Sequence, residues 1–183
     1  MNIYIYIYSN MNTKSVIEHS WTKIHNYHYI NELLNSPKEF KAKIKLHGTN
    51  ASIYITDTVV TPQGRNQPMN DKSFGGQFYK LVAKNHDILL ELRKSIGTDF
   101  VIYGELCGEI IQPIVACSKL QSHHFFVFAI KLIDSIDSNN SQWIYEPNEI
   151  TMLLKDLLLV ESQIRVLPWE TNSSGEVIKV TLS

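Results

Sequence analysis

The residues with the clearest chemical potential stand in the run Lys45-Leu46-His47-Gly48-Thr49-Asn50. A primary amine lies at a strand end, directly before a turn that carries an imidazole, a glycine and an amide. Lysine is a nucleophile only as the neutral amine. At an ordinary pKa of about 10.4, about one molecule in a few thousand is neutral at pH 7. A catalytic lysine therefore needs burial or cationic neighbours, and Lys43, two residues earlier on the same strand face, is one such neighbour. Gly48 would let backbone N–H groups come close to a phosphate, while His47 and Asn50 add hydrogen-bonding groups. On composition alone, Lys41, Lys43 and Lys45 read as a solvated strand face.

Three further features stand out. Phe100-Val101-Ile102-Tyr103-Gly104-Glu105-Leu106-Cys107-Gly108 sets a carboxylate on an apolar strand between two glycines. A buried carboxylate is costly unless something pairs with it, and the glycines suggest close approach of a ligand. An exposed strand end would carry a glutamate equally well. Arg65, in Thr61-Pro62-Gln63-Gly64-Arg65-Asn66, offers a planar fork for phosphate or sugar; alone it is an ordinary loop arginine. Phe125-Phe126-Val127-Phe128 reads first as core, although one ring turned to a cleft would stack on a base. His123 and His124 do not suggest a metal site, because neighbouring strand residues point to opposite faces.

The elements that must position these groups follow from periodicity. A short helix is expected at 28–36, ending before Pro37. Residues 39–47 alternate, with Phe40, Ala42, Ile44 and Leu46 on one side and the lysines and His47 on the other. Strands follow at 51–56 and 58–61, then a loop rich in Gly, Asn and Pro at 62–73. An amphipathic helix is expected at 77–95, capped by Gly97. Strands at 100–106 and 124–133 are rich in β-branched and aromatic residues. A polar loop at 134–142, a helix at 147–160 opened by Pro147, and short strands at 164–167 and 176–182 complete the chain. More strand than helix in mixed order gives an α+β fold.

The chain has 183 residues, enough for one sizeable core, with 44% hydrophobic and 19% charged residues. The net charge is −1, so any nucleic-acid surface must be a local patch. The two cysteines fit neither a disulfide framework nor a zinc site. They point to packing roles in a reducing, cytoplasmic compartment. No apolar run reaches the length of a membrane span. The opening Ile3-Tyr4-Ile5-Tyr6-Ile7-Tyr8 is either a period-2 strand or the translation of an ATATAT repeat upstream of a true start at Met11. Residues 1–10 are accordingly expected to be a mis-annotated or disordered leader, and 11–183 one partial domain.

In order and spacing, the Lys45–Asn50 turn, the Arg65 loop, the Gly104-Glu105 strand and the aromatic strand ending at Phe128 resemble the RNA ligase 2-like family. That family belongs to the superfamily of ATP-dependent polynucleotide ligases and mRNA capping enzymes. The resemblance covers roughly residues 13–130, with Ser15-Val16-Ile17-Glu18 a weaker match to the family's opening. It implies a nucleotidyltransferase (adenylation) domain of antiparallel sheets with flanking helices, ATP-grasp-like. It further implies that Lys45 attacks the α-phosphate of ATP, with Mg²⁺ or Mn²⁺, to give a lysyl–AMP intermediate. The AMP would pass to an RNA 5′-phosphate, and a 3′-hydroxyl would displace it, sealing nicked or broken RNA in repair. Asn50, Arg65 and Glu105 would hold the ribose and phosphate, and Phe128 would stack on adenine. The main chain of Ile44 and Leu46 would read the base edge, and His47 would serve the sealing step.

The chain departs from the pattern at Ile44, where the family has Glu, at Ala129, where it has Asp, and at Gly64, where it often has Lys. The family's later Glu-Gly metal motif and Lys-x-Lys phosphate motif have no counterpart; Gly175-Glu176-Val177-Ile178-Lys179 resembles the strand that precedes the first of them. The expectation is therefore a C-terminally truncated domain. The alternatives are an inactive nucleotide- or RNA-binding remnant, or half of a split ligase whose second chain supplies the missing motifs.

Overall fold

The computed structural model describes residues 3–4, 38–65, 67–72, 75–109, 111, 115–134 and 141–182. The helix expected at 28–36, the Ser15–Glu18 opening and most of the leader lie outside the described residues. In chain order the elements are β1 (Ile3–Tyr4), β2 (Lys38–Lys41), β3 (Lys43–Ile44), β4 (Thr49–Ile55), β5 (Val60–Gly64), α1 (Gly76–Lys84) and α2 (His86–Ile96). There follow β6 (Phe100–Cys107), a 3-10 turn at Ala116–Lys119, β7 (His124–Leu132) and β8 (Gln142–Ile144). The chain continues through α3 (Pro147–Leu153), α4 (Lys155–Val160), β9 (Ile164–Val166) and β10 (Lys179–Leu182).

The described residues fall into two compact units. The first takes Ile3–Tyr4, 38–45 and 167–182; the second takes 46–166. In the first, β2 pairs antiparallel with β10, Lys41 facing Lys179, and β1 pairs with β3. The expected continuous strand at 39–47 is interrupted at Ala42. The Ala42 N–H donates to the Ile178 carbonyl and its own carbonyl accepts from the Glu170 N–H. Both partners lie in the hairpin that turns at Asn172–Glu176. A residue held by hairpin arms on both sides cannot continue a regular ladder, and the alternation of sides is lost with it. Lys43 is therefore buried while Ile44 is 48% exposed, the reverse of the sequence expectation.

The second unit is a six-stranded sheet in the order β5-β4-β6-β7-β8, with β9 beside β7. All pairings are antiparallel except β7 with β9. One face carries Ala51, Ile53, Ile55, Phe100, Ile102, Leu106, Phe125, Val127 and Ile130 into a core closed by Phe78, Leu81, Val82, Leu89, Ile150, Leu154 and Leu157 from the helices. This is the α+β class that the periodicity predicts, in the antiparallel arrangement with flanking helices that the resemblance implies.

The expected helix at 77–95 is two helices. Asn85 breaks it: its side chain donates to the Leu81 carbonyl at 2.9 Å and to Glu161 Oε2 at 3.2 Å. Asparagine competes in this way with the helical backbone. Gly97 caps α2 in the left-handed region, φ 84°, with its N–H on the Arg93 carbonyl. The helix at 147–160 is likewise divided, at Leu154, with Pro147 at its start. Strand β8, which overlaps the expected loop only at Gln142, was not anticipated; it pairs with the end of β7, Trp143 facing Lys131.

Candidate nucleotide-binding site

The sheet face away from the core carries the polar residues. Register fixes them in rows. Asn50 faces Glu105, Ser52 faces Tyr103 and Tyr54 faces Val101 across β4 and β6; Gln63 on β5 lies beside Ser52. Asn50, Ser52 and Gln63 are buried, and Gln63 Oε1 has no hydrogen-bond partner among the described residues.

The turn after Lys45 is held against this face at one point. The Gly48 N–H donates to Glu105 Oε1 at 3.0 Å. A Cβ on Gly48 would lie 2.2 Å from the Leu106 carbonyl oxygen and 2.8 Å from Cys107 Sγ, closer than such atoms can sit. Glycine is needed here for contact with β6, and its N–H donates to a carboxylate. Gly104 follows the same logic: a Cβ there would meet the Phe125 ring at 2.5 Å. The glycines before and after Glu105 make room for protein neighbours.

Phe128 reaches the polar face through a bulge. Tyr103 pairs with Ala129 but Gly104 pairs with Val127, so Phe128 is the extra residue on β7. A bulge breaks the alternation of sides and re-aims a side chain. Phe125 and Val127 stay in the core cluster; Phe128, though 3% exposed, is outside it. Beside it, Tyr103, Trp143 and Tyr145 form a run of rings, with centroids 5.4 and 5.7 Å apart. Burial, and then the nearby Tyr145, push the Tyr103 phenol far above its usual range. Tyr103 thus remains a neutral hydroxyl.

The predicted site residues divide between the units. Ile44 and Lys45 close the first; Leu46, His47, Asn50, Arg65, Glu105 and Phe128 belong to the second. Lys45 and Leu46 are half-buried, while His47 is exposed. Arg65 is exposed, one residue past the Ala51–Gly64 pair and therefore at the Asn50 end of the sheet. Register and hydrogen bonding join Gly48, Asn50 and Glu105, with Phe128 one row along. Cys107 is packing: burial, then Cys117 and Glu105, push its thiol well above the usual range.

Sequence reasoning missed Trp169. In the first unit its ring lies under two lysine ammonium groups, Lys43 Nζ 4.4 Å and Lys41 Nζ 5.4 Å from its centroid. The pair is therefore not a plain solvated face; cation–π attraction accounts for part of its placement. Nothing in the spacing of residues 126 positions apart could have linked Trp169 to Lys43. Among the described residues no group of three or more His, Cys, Asp or Glu side chains could hold a metal ion. Nor is any helix among them long and apolar enough to cross a membrane.

Solved structures with this fold include several of Naegleria gruberi RNA ligase. One mutant with ATP and Mn is 20% identical, with a TM-score of 0.55 over 92% of this chain and 44% of that one. A second mutant with ATP and Mn is 24% identical, with a TM-score of 0.55 over 79% and 38%. A mutant with AMP and Mn is 22% identical, with a TM-score of 0.53 over 75% and 38%. At that identity the likeness shows the fold alone, and this chain spans about two fifths of the ligase's length. No curated protein matches. The family model described as RNA ligase matches residues 38–178, a span that takes in the lysine turn, the Arg65 loop, the Glu105 strand and Phe128; the chain belongs to the RNA ligase family.

Proposed function

We propose that the chain is the nucleotide-transfer part of an ATP-dependent RNA ligase. The neutral Lys45 amine attacks the α-phosphorus of ATP. A bond from Nζ to phosphorus forms, the bond to pyrophosphate breaks, and the Nζ proton leaves to solvent. An RNA 5′-phosphate oxygen then displaces the lysine and takes the AMP. A 3′-hydroxyl attacks that phosphate, releases AMP and seals the strand. Phe128 stacks on adenine, with the main chain of Ile44 and Leu46 at the base edge. Glu105 accepts from a ribose hydroxyl, Asn50 and Arg65 hold the phosphate end, and His47 serves sealing.

The observation that carries this reading is the Gly48–Glu105 hydrogen bond of 3.0 Å. It fixes the turn that follows Lys45 to the same sheet face that presents Asn50 and the re-aimed Phe128. The chemistry of that face supports ATP as the ligand: Phe128 offers a ring for the base, Glu105 a carboxylate for the ribose and Arg65 a fork for the phosphates. A divalent ion, Mg²⁺ or Mn²⁺, neutralises phosphate charge in such reactions. The described residues form no protein cage for it, so the fit is to an ion carried largely by the nucleotide. The free thiols of Cys107 and Cys117 suit a reducing cytoplasm.

The test is incubation with ATP and Mg²⁺ or Mn²⁺ followed by intact mass. Wild type gains one AMP, and Lys45→Ala gains none. A folded wild-type chain that takes no label with either ion overturns self-sufficient transfer.

A second reading follows from Ile44 and Ala129, apolar where the family pattern has acidic residues: nucleotide binding with no transfer, or transfer only when another chain supplies further charged groups. Each well-placed electrostatic group removed costs about 2.7–4 kcal/mol in the transition state. Calorimetry would then show ATP binding with no covalent product. Absence of heat would sink this reading.

A further inference from the structure

The row that contains Asn50 and Glu105 does not stop at β6. Glu105 faces Phe126 on β7, and Phe126 faces Arg165 on β9. Neighbouring strands lie about 4.8 Å apart, so Phe126 stands about 5 Å and Arg165 about 10 Å along the row from Glu105. Two residues before Phe126, on the same face, the His124 ring lies 6.3 Å away at an interplanar angle of 30°.

These three residues are not spent on packing. Phe126 is half-buried while its neighbours Phe125 and Val127 are fully buried in the core. Arg165 is exposed, and its one hydrogen bond among the described residues runs from Nε to the Ser162 carbonyl at 3.4 Å. Its terminal nitrogens make none there. His124 Nε2 lies 3.2 Å from Ser122 Oγ. Burial, and then the charge of Arg165, push its imidazole below the usual value; it enters as an uncharged ring.

We infer that Phe126, His124 and Arg165 form a binding lane for the RNA strand, with a base on the Phe126 and His124 rings and a backbone phosphate on the Arg165 fork. The lane rests on the ligase reading above and extends it from nucleotide to nucleic acid. Aromatic faces stack on any base, and a guanidinium fork matches a phosphate. The chain's net charge of −1 requires such a surface to be local. This one continues directly from Glu105. A strand laid along it would bring its end toward the nucleotide.

The experiment uses the full chain and a fluorescein-labelled, 5′-phosphorylated single-stranded RNA, read by anisotropy over a salt series. Wild type is expected to bind. Arg165→Glu should weaken binding at least tenfold, and Arg165→Ala should reduce the log–log salt slope by about 0.7, the value of one phosphate contact on a single strand. Phe126→Leu should weaken binding about tenfold, and Phe126→Tyr, which keeps the ring, should restore most of it. Arg165 is exposed, so its variants keep the test open even if Phe126→Leu unfolds.

No RNA binding by wild type, or equal binding by wild type and Arg165→Glu, overturns the lane. So does equally effective competition by polyglutamate, which would mark a site that reads charge and not nucleotide. AMP labelling is read separately by intact mass. Arg165-dependent RNA binding without labelling sinks the lysyl–AMP reading alone. Labelling with Arg165-independent RNA binding sinks the lane alone.

Discussion

Gly48 is constrained by what lies behind it. A methyl at this position would press on the Leu106 carbonyl oxygen at 2.2 Å, and backbone cannot move aside as a flexible side chain can. Gly48→Ala is expected to cost about 1–3 kcal/mol, the usual range for forcing an extra carbon into a packed site. It should also lengthen the Gly48–Glu105 hydrogen bond. Thermal unfolding checks the first effect and AMP labelling the second; a variant as stable as wild type would mean that β6 yields. The sequence showed that glycine mattered at 48 and 104, but not why. Its reading took both for ligand clearance, because a one-dimensional string does not reveal which strand passes behind a residue. The bend between Lys45 and Asn50 was legible because turn chemistry is local. Trp169 was not, because its partners are brought to it by pairing between distant strands.

At the scale of elements, periodicity located the sheet and helices well and missed their interruptions. Asn85 and Ala42 break a pattern through tertiary contacts. Asn85 is the clearest, because Glu161 binds it from beyond α4. Glu161 is 3% exposed and accepts from Lys84 Nζ, Asn85 Nδ2 and the Gln163 N–H at 3.1, 3.2 and 3.1 Å. Burial alone would raise its pKa. The Gln163, Lys84 and Asn85 hydrogen bonds and the Lys84 charge outweigh burial and hold it below the usual value.

The sign of the pH dependence follows. A carboxylate depressed in the folded state binds fewer protons there than when unfolded, so its contribution is complete above the ordinary glutamate value. It is lost as pH falls through the lower folded value. The Lys84 side chain is 69% exposed, so the ion pair itself adds little; the buried bonds to Asn85 and Gln163 matter more. Glu161→Ala should cost about 1–3 kcal/mol near neutral pH. Glu161→Gln should flatten the acid limb of a urea-stability profile. An unchanged acid limb would show that Glu161 does not drive it.

For the whole molecule, the lysine and the sheet face draw their support from different parts of the chain. Among the described residues the second unit takes 46–166, with its own core. The described strands leading to Lys45 are instead tied to residues more than 120 positions later. Lys38–Lys41 pair with Lys179–Leu182, and Ala42 is bonded to Glu170 and Ile178. Such long-range closure is entropically costly and has to be offset by the contacts it makes. Ending the chain after Val166 removes β10, the hairpin and Trp169 together. The amide of Ala42 then loses its acceptor, and Lys43 loses its aromatic neighbour. Hydrogen exchange should show residues 38–45 deprotected in that variant, while amides of β4, β6 and β7 keep slow exchange because the core residues of 46–166 are all present. AMP labelling at Lys45 should fall with the deprotection, since a nucleophile on an unpaired strand no longer has a fixed line of attack. Retained protection at 38–45 would mean that the strand is held by something other than the C-terminal hairpin and β10.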